Sequence, residues 1–141
     1  MKNISIDFET YSECDIFKAG AYAYADHSST EVLCLAWAVD DQPSQLWTPD
    51  DPIPTELFTL IKEGAIVWAW NSFFEMSIWN QVLGWPEVPI SQWRDTAALS
   101  AAQAYPRALG KCGEALGLTG DAAKSKRCLL YTSDAADEED S

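Results

Sequence analysis

The sequence is short of basic residues. Nine lysines and arginines stand against 22 aspartates and glutamates, which gives a formal net charge of -13 at pH 7. Proteins that hold nucleic acid through a broad basic surface need clustered Lys and Arg, so this composition excludes that mode of binding. Any contact with nucleic acid would have to be local, assisted by metal ions or supplied by a partner domain.

Histidine and paired cysteines are also scarce. His27 is the single histidine, and the four cysteines show no C-x-x-C spacing. A Ser-His-Asp or Cys-His nucleophile system would depend on His27 alone, which lies in the polar stretch DHSST and is expected to be a surface loop residue. The cysteine spacing does not indicate a zinc site, and no secretory leader is expected before Ile4. These features predict a reduced, cytoplasmic protein.

Long apolar runs are absent from the sequence. The longest, around residues 32–39 and 65–70, fall short of the ~18 residues that a membrane helix needs, so no membrane association is expected. A hydrophobic content of 48% with seven tryptophans suits one compact domain. Residues 128–141 hold five acids and no base. We therefore predict one domain over residues 1–127, followed by a disordered or foreign acidic tail.

Apolar patterning predicts alternating strands and helices. Strands are expected over residues 3–8, 31–40, 44–48 and 65–70, and the second, apolar on both faces, is expected to be central. Helices are expected over residues 55–64 and 72–84, with two more over 95–105 and 109–117. This order predicts an α/β fold with a mixed β-sheet flanked by helices.

The first strand ends in SIDFETYS, residues 5–12. On a strand, residues i and i+2 point to the same face, so Asp7 and Glu9 project together while Phe8 enters the opposite layer. Two adjacent carboxylates repel each other unless water or a hard cation lies between them, and Mg²⁺ or Mn²⁺ accepts such oxygen ligands. The alternative is a strand end that carries two solvated acids.

A second acidic position follows the predicted strand at residues 65–70. In AWNSFFEMSIW, Asn71 ends the strand and Glu75 lies in the first turn of the next helix, at the mouth of its apolar stripe. The alternative is a capping box, in which Glu75 bonds back to the backbone of Ser72. Farther on, Asp95 precedes an alanine-rich run, and a helix N-cap is its expected role.

These motifs together resemble a known family. D-F-E-T at residues 7–10 resembles the first motif of the DEDD 3′-to-5′ exonucleases of the ribonuclease H-like superfamily. Asn71-x-x-x-Glu75 is similar to the second motif, N-x-x-x-D, with Glu where most members have Asp. W-R-D-T at residues 93–96 resembles the region that follows. From residue 2 to about residue 126 the pattern resembles the proofreading exonuclease domain of phage-type family A DNA polymerases.

The resemblance implies a ribonuclease H-like sheet and hydrolysis of the terminal phosphodiester of DNA with two Mg²⁺ or Mn²⁺ ions. Asp7 would bridge both ions, Glu9 would hold the first and place the attacking water, and Glu75 would orient water on the second. The expected partners are a single-stranded DNA 3′ end and a polymerase domain in the full-length protein. The residues expected to contact the substrate are Thr10, Tyr11, Asn71 and Phe74, and Asp95 is expected to support the site.

The third motif of the family has no counterpart in this sequence. That motif supplies a final aspartate, preceded four residues earlier by tyrosine or five by histidine. Tyr131 and Asp134 are separated by three and arrive too early in the chain, so we do not assign them this role. The domain is therefore expected to be incomplete at its C-terminus and its activity reduced or absent. Two alternatives stay open: a non-catalytic fragment of the same fold, and an acidic protein-interaction module.

Overall fold

The computed structural model describes residues 1–106 and 108–117, so the predicted tail at residues 128–141 lies outside the described part. Five strands form one sheet in the order β3-β2-β1-β4-β5. The strands are β1 (Asn3–Tyr11), β2 (Glu31–Val39), β3 (Gln45–Trp47), β4 (Ile66–Ala69) and β5 (Trp93–Asp95). The helices are α1 (Ile16–Asp26), α2 (Thr55–Lys62), α3 (Ser72–Ser77), α4 (Thr96–Ala102) and α5 (Leu109–Ala115). This mixed sheet with flanking helices is an α/β fold consistent with the ribonuclease H-like class.

Strand β1 organises the sheet from its centre. It pairs antiparallel with β2 from Ile4 to Tyr11 and parallel with β4. The pairing with β4 covers only Asn3 to Ser5, so β1 continues past the end of its parallel neighbour. The first strand and the strand leading to Asn71 are therefore neighbours that run in the same direction. Strand β2 is an internal strand between β1 and β3, as its apolar sequence predicted.

The two faces of β1 differ completely in burial. Along the strand, burial alternates residue by residue, as expected for a sheet that packs helices on one side. Ile4, Ile6, Phe8 and Thr10 point into the core, where they meet the apolar face of β2. The other face carries the polar positions of the strand. The period-2 pattern therefore separates the acids from the core.

Aromatic residues fill much of the space between the sheet and the helices. Trp79 is fully buried and its ring packs edge-on against the rings of Phe58, Trp85 and Trp93. Its indole N–H donates to the carbonyl of Pro86 at 2.9 Å, which satisfies the only polar atom of the side chain. Such edge-to-face pairs contribute about 0.5–1.5 kcal/mol beyond the area that they bury. The tryptophans of this cluster therefore belong to the core.

Helix α1 and strand β5 are the elements that the sequence patterns did not predict. Helix α1 is broken by Gly20, whose backbone (φ 84°, ψ 168°) departs from helical geometry and kinks the helix. Its C-cap is His27, an exposed residue whose Nδ1 accepts from the backbone N–H of Ser29 at 3.1 Å. His27 is thus a surface loop residue, as predicted. Among residues 1–106 and 108–117 there is no helix long and apolar enough to span a membrane.

Replacing Gly20 by Ala is expected to lower the free energy of unfolding by about 1–3 kcal/mol, because this backbone region is accessible almost only to glycine. A Cβ at Gly20 would meet no atom within 4 Å, so the effect would come from the backbone alone. Gly110 in α5 is the control, since it also has open space around it but no positive φ. Gly110→Ala should be neutral or stabilising by up to about 1 kcal/mol. Urea unfolding of both variants measures the difference, and equal effects would contradict the prediction.

Candidate functional site

Asp7 and Glu9 lie together on the face of β1 that points away from the core. Asp7 is exposed and Glu9 is half-buried, while Phe8 between them is fully buried. Across the strand pair they lie opposite Ala36 and Cys34 of β2. The predicted projection of the two acids to one side is therefore what the strand geometry produces.

The pairing of β1 with β2 shifts register directly after Glu9. Glu9 is paired with Cys34 but Thr10 with Val32, so Leu33 is an extra residue on β2. Such bulges bend a strand and increase its twist, and they are frequent beside functional sites. Here the irregularity falls between the acid pair and the end of β1. No glycine or turn residue in the sequence marks its position.

Glu75 reaches β1 from helix α3. Its side chain is only 2% exposed, and its Oε2 accepts a hydrogen bond from the backbone N–H of Phe8 at 3.1 Å. Phe8 lies beyond the end of the β4 pairing, so the carboxylate provides an acceptor for a buried strand N–H at this position. The contact brings the second motif to the backbone between Asp7 and Glu9.

A capping box would make Ser72 the N-cap of α3 and Glu75 its third residue, but the helix starts one residue earlier. Helix α3 begins at Ser72, and its N-cap is Asn71, whose left-handed backbone (φ 60°, ψ 65°) starts the helix without a side-chain cap. Ser72 is thus a helical residue rather than the N-cap, and Glu75 is the fourth residue of the helix rather than the third. After Ser77 the chain continues as a π-helix over Ile78–Leu83, where Ile78 and Trp79 enter the core. The helix still ends at Gly84, as predicted.

Asp95 is the N-cap of α4, as predicted. Its Oδ1 accepts hydrogen bonds from the backbone N–H groups of Ala97 (2.9 Å) and Ala98 (3.3 Å). The same oxygen also accepts from the backbone N–H of Asn71 at 3.1 Å. Asp95 therefore connects the start of α4 to the start of α3, a contact that no local sequence pattern indicated.

Two of the predicted substrate contacts have their side chains in the core. Thr10 is fully buried, and its hydroxyl shares a hydrogen bond of 2.9 Å with the hydroxyl of Tyr24. Phe74 is 1% exposed and its ring packs against Tyr24 at 5.8 Å between centroids. Burial raises the pKa of Tyr24 above its ordinary value, so this hydroxyl stays protonated. These side chains hold α1 and α3 to β1, and contact between them and a nucleotide stays a prediction.

Other aromatic side chains near the end of β1 are exposed. Tyr11, on the same face as the acid pair, is 47% exposed, and Phe73, beside the buried Phe74, is 54% exposed. The resemblance implied Phe74 as a substrate contact, whereas Phe73 is the exposed ring of the two. Extending the apolar stripe of Ile78 back by four residues reaches Phe74 and leaves Phe73 outside, so helical periodicity could have distinguished them. Tyr11 and Phe73 each leave a ring face accessible to solvent, as do Phe17 and Tyr22 of α1.

The predicted metal ligands, Asp7, Glu9 and Glu75, would all coordinate an ion through carboxylate oxygens. Three carboxylates suit a hard cation such as Mg²⁺ or Mn²⁺ better than a soft one. Within residues 1–106 and 108–117, no three or more His, Cys, Asp or Glu side chains are grouped so that they could hold a metal ion. Mg²⁺ is commonly held by one or two protein carboxylates together with water and substrate phosphates. The donor chemistry of Asp7, Glu9 and Glu75 therefore fits such an ion when substrate completes its shell.

The sheet is consistent with a ribonuclease H-like fold, and Asp7, Glu9 and the contact from Glu75 all lie on its central strand β1. Over 133 residues, 92% of this chain, the sequence is 32% identical to a DNA polymerase of Bacillus phage SP02. The aligned part is 20% of that polymerase, so the chain spans about a fifth of its length. No protein-family model matches the chain. The similarity supports a polymerase-related domain.

Proposed function

We propose that this chain is a metal-dependent 3′-to-5′ exonuclease domain that removes nucleotides from the 3′ end of DNA. The observation that carries the proposal is the hydrogen bond from Phe8 to Glu75, because it brings a third carboxylate to the strand between Asp7 and Glu9. The similarity to a phage DNA polymerase supports DNA as the substrate. The D-F-E-T and N-x-x-x-E motifs support the exonuclease assignment.

In the proposed reaction a water oxygen bonds to the terminal phosphorus and the bond from phosphorus to O3′ breaks. The water gives up a proton to solvent and O3′ takes one up, so the products are a 5′-mononucleotide and a shortened strand with a free 3′-hydroxyl. Bound Mg²⁺ or Mn²⁺ ions would neutralise charge on the attacking and leaving oxygens. Asp7, Glu9 and Glu75 would hold these ions, and Glu9 would also place the attacking water.

The remaining residues of the site would bind and orient the strand. Exposed rings at Tyr11 and Phe73 could stack on the terminal bases, since such stacking tolerates any base. Asn71, half-buried at the start of α3, would contact the terminal nucleotide. The net charge of -13 predicts weak binding to DNA without divalent ions. The partner that we propose is a single-stranded 3′ end, presented by a polymerase region in a longer protein.

The test uses the whole chain with a 5′-labelled single-stranded DNA oligonucleotide. With Mg²⁺ or Mn²⁺ we expect a ladder of products shortened from the 3′ end and release of 5′-mononucleotides, at a reduced rate because no third-motif aspartate is assigned in this sequence. With EDTA the oligonucleotide should remain intact. No shortening with either ion would contradict the proposal. If Mg²⁺ nevertheless raised the melting temperature, the chain would be a metal-binding domain without catalysis, because a ligand that binds the native state stabilises it.

A further inference from the structure

Asp95 takes part in two structural features at once. As N-cap of α4 it accepts from Ala97 and Ala98, and its third hydrogen bond goes to the N–H of Asn71. An N-cap needs only the bonds to its own helix. The bond to Asn71, 24 residues away in the chain, is therefore additional to capping.

The sheet brings Asp95 and Asn71 together. Strands β4 and β5 are parallel, with Ala69 paired to Asp95. Asn71 follows Ala69 by two residues, so its N–H arrives beside the Asp95 carboxylate as the chain leaves β4. The contact forms where the chain turns from β4 into α3.

Asn71 holds a backbone conformation that few residues adopt. At φ 60° and ψ 65° it lies in the left-handed region, which Asn tolerates better than most non-glycine residues but still at a cost in free energy. Such a conformation persists only where the surroundings fix it. The bond to Asp95 fixes the Asn71 peptide and with it the direction in which α3 starts.

Glu75 follows four residues later in the same short helix. Its contact with the N–H of Phe8 requires α3 to start at the right place and in the right direction. From these contacts we infer that Asp95 is a positioning residue, which sets the start of α3 so that the Glu75 carboxylate reaches β1 between Asp7 and Glu9. The catalytic consequence of this role rests on the exonuclease function proposed above, whereas the structural role does not.

A pair of Asp→Ser variants separates positioning from capping. Serine is as good an N-cap as aspartate, so Asp95→Ser keeps the cap of α4, while its shorter side chain gives up the bond to Asn71. Asp15 is the matched control because it caps α1 through one bond to the N–H of Phe17 at 2.9 Å. Asp95→Asn is the conservative variant, since its amide oxygen can still accept from Asn71.

The first measurement is amide hydrogen exchange at Phe8, compared with the slowest amides of each variant. We expect Asp95→Ser to speed exchange at Phe8 by about tenfold or more relative to those amides, because the Glu75 acceptor is no longer held in place. Asp15→Ser and Asp95→Asn should leave this ratio within about twofold of the parent. An unchanged ratio in Asp95→Ser, or equal changes in both Ser variants, would overturn the inference.

The second measurement is the rate of nucleotide release. Asp95→Ser should lower kcat by about tenfold to a hundredfold with little change in KM, as expected when a group is misplaced by a fraction of an ångström to about 1 Å. Asp95→Asn should recover most of this loss. If the parent chain released no nucleotides, the proposed function would fail, while the exchange at Phe8 would still decide the positioning role. If Asp95→Ser did not fold, an altered exchange ratio in Asp95→Asn would also overturn the inference.

Discussion

Replacing Asp7 by Asn is expected to lower the rate of nucleotide release by about a thousandfold or more, since removing one member of a catalytic constellation can cost several orders of magnitude. Asn has the same size and shape as Asp but lacks the charge that would hold divalent ions. Asp7 is exposed on the polar face of β1 and takes no part in the core. The melting temperature without metal, compared with that of the parent, separates any effect of the substitution on the fold from its effect on the rate.

Asp41→Asn is the matched control for this experiment. Asp41 is an equally exposed acid that follows β2, and its replacement removes the same charge from the chain. The rate of Asp41→Asn should stay within about twofold of the parent. Binding of DNA in EDTA should be equal or slightly tighter in both variants, because each removes one repulsive charge. A rate for Asp7→Asn within threefold of the parent would contradict the proposed role of Asp7.

Much of the sheet could be predicted because burial in strands follows a simple period. The alternation along β1 separated Asp7 and Glu9 from Phe8 in the sequence and does so in the structure. The apolar run of β2 and the short run of β4 also became strands within a few residues of their predicted bounds. In each case the core-facing side chains decide the structure, and these are visible in the sequence.

Helix α1 and strand β5 were missed for different physical reasons. Gly20 interrupts α1 and its apolar pattern is mixed, because Phe17 and Tyr22 are exposed while Tyr24 is buried. Strand β5 has only three residues, too few to show a period, and it exists through its pairing with β4. Neither element carries enough local information to be recognised without its neighbours.

Sequence patterns located individual residues of the site but not the hydrogen bonds that join them. Local patterns located Glu75 and the N-cap role of Asp95, but the capping-box pattern placed the start of α3 one residue late. The left-handed Asn71 starts the helix instead. The bonds that join the motifs span 67 residues from Phe8 to Glu75 and 24 from Asn71 to Asp95. Such contacts depend on how strands are ordered in the sheet, which short motifs do not specify.

Two substitutions of Glu75 should separate its part in the fold from its part in catalysis. Glu75→Ala removes the acceptor that the buried N–H of Phe8 uses and leaves a space in a 2% exposed position. We expect a loss of about 2–4 kcal/mol in the free energy of unfolding, from the unsatisfied donor and the cavity together. Glu114→Ala, at an exposed position of α5, should change it by less than about 0.5 kcal/mol.

Glu75→Gln keeps the size of the side chain and an oxygen that can accept from Phe8, so its free energy of unfolding should stay within about 1 kcal/mol of the parent. Its rate of nucleotide release should nevertheless fall by about a hundredfold or more, because an amide cannot replace a carboxylate beside divalent ions. Urea unfolding and the oligonucleotide assay measure the two effects on the same preparations. A Glu75→Gln variant that is as active as the parent would leave Glu75 with a structural role alone, as the acceptor for the buried N–H of Phe8. An unfolding free energy of Glu75→Ala equal to that of the parent would show that the Phe8 N–H finds another acceptor, and the contact between α3 and β1 could then no longer be assigned to this carboxylate.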